Sequence, residues 1–123
     1  ALSLFLILKE DLIVDKKEIT EMFDYILKNN KFEKEIRNLI VFKKALFQSN
    51  FVNESELIKT TNPLINTNTV WKPHAFLLLG DYFYFNKENI KAKEFYQKVL
   101  SLKNLHNDLY EHAKSQLVLI IND

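Results

Sequence analysis

The sequence predicts an all-α fold, a stack of antiparallel helical hairpins in one domain spanning residues 1–123. Three observations predict it. The 123 residues include one Gly and two Pro, too few of the residues that shape the tight turns of a β-sandwich. Apolar residues recur at helical spacing along most of the chain. Short connections containing Asn and Lys separate those stretches, and several supply helix caps. Hydrophobic residues make up 47% and aromatic residues 13% of the chain. That is enough to build a packed core and too much for intrinsic disorder.

About seven helical segments follow in order. The first, residues 2–10, is apolar nearly all round, which implies burial on most sides. Asp15 and Glu18 have capping-box spacing and open the second, residues 16–29. Its buried stripe is Ile19, Met22, Phe23, Ile26 and Leu27. The third, residues 33–48, should turn Ile36, Leu39, Ile40, Phe42, Leu46 and Phe47 inward. Asn53 caps a fourth that starts at Glu54 and should stop before Pro63, because the residue before a proline disfavours the α conformation. Residues 61–71 form a Thr- and Asn-rich connection, with at most one turn around Pro63. Pro73 then sits in the first turn of a fifth helix, residues 73–85. Asn86 is expected to cap a sixth, residues 87–101. Asn107 and Asp108 open the last, residues 108–121.

Composition excludes several functions. Net charge is +1, from 17 basic and 16 acidic residues without a basic block, so backbone-driven nucleic-acid binding is not expected. The absence of Cys rules out disulfides and thiolate metal sites. The longest apolar run, residues 2–8, is far short of the roughly 20 residues that span a bilayer, so no membrane insertion by this chain is expected. The chain starts at Ala1 in an apolar stretch, and a preceding segment, such as a membrane anchor, is the expectation drawn from that. No Gly-rich phosphate loop, His-Glu-x-x-His or Gly-x-Ser-x-Gly motif occurs. No cofactor is expected. Asp108 and His112 stand four apart on one helical face and are weighed as a metal pair, with a surface ion pair the simpler reading. Asn53-Glu54-Ser55 fits a glycosylation sequon, but the helix cap accounts for Asn53.

Residues 73–106 carry the most informative pattern. Gly80 lies mid-helix, where it costs roughly 1 kcal/mol relative to Ala. A closely crossing neighbour would justify that cost, and Ala92 is the matching small residue on the returning helix. Phe76, Leu79, Phe83, Phe95, Tyr96 and Val99 would fill the space between them. With Gly80 as anchor, Phe76, Leu79, Phe83, Ala92 and Tyr96 fall at the spacings of a tetratricopeptide repeat (TPR), and the segment resembles that family. Val99 stands where the family has a second Ala, and Asn104 where it has Pro. The resemblance implies a right-handed stack of hairpins: degenerate ones at 1–30 and 32–65, the clear repeat at 73–106, and a capping helix at 107–123. Within the chain, Phe23, Ile26 and Leu27 can be set on Tyr96, Val99 and Leu100 as a loose internal match.

A narrower resemblance rests on Pro63, Leu64, Trp71, Lys72, Ala75, Leu79 and Gly80. It is to YfgM-like membrane-anchored TPR proteins, which are ancillary to the Sec translocon. It implies a bacterial, periplasmic placement over a cytoplasmic one. The TPR resemblance implies a non-catalytic scaffold that binds a protein or peptide partner. Its groove would present His74, Leu77, Asp81 and Tyr84. Leu77 and Asp81 occupy places where the family's carboxylate-binding repeats carry basic or amide side chains, so an acidic peptide terminus is disfavoured and an apolar segment preferred. Contact with neighbouring helices is the alternative role for Leu77 and Tyr84. The alternative function is structural self-association, a homodimer seam formed by Leu2, Phe5 and Leu6.

Overall fold

The computed structural model describes residues 15–122. Among them every regular element is a helix and none is a strand. There are six: α1 (Lys16–Asn29), α2 (Lys34–Gln48), α3 (Glu54–Ile65), α4 (Lys72–Phe85), α5 (Asn89–Leu100) and α6 (Asn107–Asn122). The helix expected at residues 2–10 lies outside the described residues. The chain divides into two compact units, residues 1–32 and 33–123.

In the first unit, the Asp15 side chain caps α1 by accepting from the Lys17 amide at 2.9 Å. Of the expected stripe, Ile19 and Phe23 are buried and Leu27 is half-buried, while Met22 and Ile26 are exposed. The buried residues follow one i, i+4, i+8 row, so their i+3 partners fall at its edge.

In the second unit, α2 turns inward a different face from the expected one. Asn38, Val41, Ala45 and Gln48 are buried, whereas Ile36 and Leu46 are each 50% exposed. Small side chains at Val41 and Ala45 let the neighbouring helix approach. The two buried amides are satisfied: Asn38 Nδ2 donates to Glu35 at 2.8 Å, and Gln48 Oε1 accepts from the Thr60 hydroxyl at 2.6 Å. The apolar residues left over, Phe42 and Leu46, become available elsewhere. Asn53 caps α3 as expected, accepting from the Glu56 amide at 2.9 Å. The helix does not stop before Pro63 but continues to Ile65. Pro63 sits in the final turn, so only its bond to the Lys59 carbonyl is lost, and both residues are exposed, where water can satisfy that group.

Helix α4 is the centre of this unit. Residues 75–80 are buried without interruption, and a helix apolar on all sides must be packed on all sides. It packs against α3, α5 and α6. One core cluster joins Phe76, Leu77 and Phe83 to Ala92, Tyr96 and Val99 of α5 and Ala113 of α6. A second joins Leu78 and Leu79 to Ala45 of α2 and Leu57 of α3. Helices α4 and α5 approach closely at Gly80: a Cβ there would lie 2.6 Å from the Tyr96 ring. Lys98 Nζ stands over the Phe76 ring and Lys91 Nζ over the Phe83 ring. Residues 76, 80 and 83 thus meet 98, 96 and 91, so the two helices run antiparallel.

The turn between them corrects an expectation. Asn86 caps the end of α4, not the start of α5: its Nδ2 donates to the Tyr82 carbonyl at 2.8 Å. Lys87 adopts φ 62°. Its amide donates to the Tyr84 carbonyl and the Glu88 amide to the Phe83 carbonyl. That pair of bonds defines a Schellman motif, here with Lys at the left-handed position usually taken by Gly.

Candidate functional site: a trough along the central helix

Three depressions of the second unit lie along α4 and share lining residues, together making a trough. The middle one is a pocket of about 290 Å³. Phe42 and Leu46 of α2 form one wall, Leu77 and Leu78 of α4 the floor, and Leu109 of α6 the other wall. Asp81, Asp108, His74 and His112 supply its polar atoms; among the described residues, no Lys or Arg lines it. Leu78 and Asp81 are shared with a cavity of about 450 Å³ near the C-terminal end of α4, bordered by Phe51, Val52 and Phe85. His74 and Leu109 are shared with one of about 810 Å³ at the other end, bordered by Val70, Lys72, Lys103 and His106.

The rim is held by side chains from three helices. The buried Tyr96 hydroxyl donates a short hydrogen bond to Asp81, and Gln116 Nε2 donates to the Tyr96 oxygen at 3.4 Å. His112 Nε2 lies 3.2 Å from both Asp81 carboxylate oxygens. Burial, reinforced by the Asp81 acceptor, holds the Tyr96 phenol above its ordinary pKa, so it remains a donor. At the opposite end, Phe42 stacks on Trp71 at 5.4 Å and meets His74 edge-on at 5.9 Å. Burial holds the His74 imidazole below its ordinary pKa. Its Nδ1 is enclosed, with no hydrogen-bond partner among the described residues. Glu35 closes this end, accepting from the Val70 amide at 3.0 Å.

The structure brings three of the four groove residues read from the sequence, His74, Leu77 and Asp81, into the central pocket. Leu77 is only 8% exposed and serves mainly as floor and core. Tyr84 does not line the pocket and packs against the core cluster of α4, α5 and α6. Phe76, Leu79, Gly80, Phe83, Ala92 and Tyr96 are all buried between helices. Leu2, Phe5 and Leu6 lie outside the described residues. Asp108 and His112 do not form a pair: His112 turns to Asp81, and Asp108 has His106 Nδ1 at 3.8 Å.

Sequence reasoning missed Phe42, Leu46 and Leu109 as pocket walls. A signal was present. Helix α2 carries more apolar residues than one buried face accommodates, and the surplus marks a second face.

No family model, curated protein or solved structure matches this chain.

Proposed function

We propose that this chain is a TPR-like, non-catalytic scaffold that binds a peptide segment of a protein partner in the trough along α4. The observation that carries the proposal is the trough's construction. Its walls and floor come from α2, α4 and α6, the leading helices of successive hairpins, so the partner site is made by stacking and not by any one element. The contacts between α4 and α6 and between Phe42 and His74 support a stack of successive hairpins of the TPR kind. So do Gly80 under Tyr96 and the buried Ala92. An apolar floor with a few convergent polar groups is what peptide recognition uses. The periplasmic, secretion-associated setting implied by the YfgM-like resemblance belongs to the same proposal.

The test places a photo-crosslinking amino acid at Leu46, half-exposed in the pocket wall, and separately at Lys93, exposed on α5 outside the trough. Partner adducts should form from position 46 and not from 93. They should vanish in a chain that also carries Asp108→Arg and Leu109→Ser. Equal adducts from both positions would remove the trough as the binding face. Leu77 is unsuitable for such a test, because Leu77→Glu would bury a charge in the core.

A further inference from the structure

Resting on that reading, the geometry points to the chemistry of the occupant: we infer that the trough takes a short peptide segment in which an apolar side chain stands beside Lys or Arg. The apolar member fills the pocket between Phe42, Leu46 and Leu109. The cationic member meets the carboxylates of Asp108 and Asp81.

Charge complementarity carries the inference. The chain as a whole is slightly basic, with net charge +1, yet the fully charged groups of the central pocket are both acidic. Asp108 is 89% exposed, with His106 Nδ1 standing 3.8 Å from its carboxylate. It therefore retains most of its acceptor capacity. Asp81 is 44% exposed. Tyr96 and His112 orient it without using all its lone-pair sites, and their hydrogen bonds fix it as an acceptor at the pocket's edge. An acidic segment would bring a third carboxylate against these two across a poorly hydrated floor, which is repulsive. A purely apolar segment would leave both carboxylates partly desolvated without a counter-charge. A cation beside the apolar anchor satisfies both surfaces at once.

The trough also sets a length. From His74 to Phe85 the central helix rises about 16 Å, which accommodates about five residues of extended chain. The basic residues at the α4 N-terminal end, Lys72 and Lys103, lie beyond the central pocket, so the cationic residue belongs at the middle of the segment and not at that end.

The experiment uses the full chain and three fluorescein-labelled hexapeptides read by anisotropy: Gly-Leu-Arg-Phe-Lys-Gly, the same peptide with both basic residues replaced by Glu, and the same peptide with Leu and Phe replaced by Ser. The first should bind and the other two should bind at least about tenfold more weakly. Asp108→Lys should weaken the first peptide by about tenfold and flatten its dependence on salt between roughly 0.05 and 0.5 M. Asp108→Asn should give a smaller loss of the same sign, and Asp108 is exposed enough for both variants to fold. Equal or tighter binding of the acidic peptide, or no change with Asp108→Lys, overturns the inference. If the acidic peptide binds and Leu46→Glu abolishes that binding, the trough remains a peptide site and only its charge preference is refuted. If none of the peptides binds and crosslinks from Leu46 also fail, the scaffold reading falls with it.

Discussion

Gly80 shows how one missing side chain organises the molecule. Its absent Cβ is the space the Tyr96 ring occupies, and Tyr96 is fully buried, so the ring has nowhere to retreat. The same placement brings the Tyr96 hydroxyl to Asp81 and hence connects helix packing to the rim of the trough. Gly80→Ala should destabilise the protein. Helix propensity favours Ala by about 1 kcal/mol, but overpacking against a fixed ring costs ~1–3 kcal/mol, and displacing the ring also weakens the Asp81 bond. A net loss of ~1–2 kcal/mol is expected from urea midpoints. A variant as stable as wild type would mean that Tyr96 can move aside, and would detach Gly80 from the trough.

At the scale of helices, the sequence made most spans legible because caps and apolar spacing are local. Asp15, Asn53 and Pro73 mark helix starts that the structure reproduces. Three features were not legible, each for a non-local reason. Pro63 reads as a stop, but a proline in the last turn, on a helix's exposed face, surrenders one solvent-accessible bond. The face that α2 buries depends on which neighbour needs Val41 and Ala45, which periodicity does not record. The turn at 86–88 ends α4 without Gly, so no C-cap signal appears and Asn86 looks like the start of the next helix. That last feature is testable. Lys87 holds φ 62°, a region that costs a side-chain-bearing residue roughly 1 kcal/mol and Gly almost nothing. Lys87→Gly should raise stability by ~0.5–1 kcal/mol, less the added entropy of the unfolded chain. Loss of stability in thermal melts would show that the Lys87 side chain contributes something beyond the turn. The candidate site was legible only along α4, where His74, Leu77 and Asp81 follow one row. Its opposite walls come from α2 and α6, and their meeting is a property of the stack.

At the scale of the whole molecule, the two core clusters among the described residues fall within residues 33–122 and both draw on α4. A helix shared by two cores couples them, so the second unit should unfold in one step and any group on α4 should report on global stability. His74 is such a group, and its linkage has a definite sign. Burial lowers its folded-state pKa below the ordinary 6.5 that the unfolded chain retains. Well above pH 6.5 both states hold the neutral imidazole and pH has little effect through this residue. As pH falls below 6.5, the unfolded chain takes up a proton that the folded chain resists, and stability is lost until the folded-state pKa is passed. Desolvation disfavours the imidazolium in the wall of the trough, and the Val70 backbone opposes that effect only in part. The difference in unfolding free energy between wild type and His74→Gln should therefore be constant above pH 7 and should shift against wild type between about pH 6.5 and pH 5. If the two pH profiles run parallel throughout, the His74 ring is hydrated in solution, and the stacked end of the trough formed by Phe42, Trp71 and His74 is open to water.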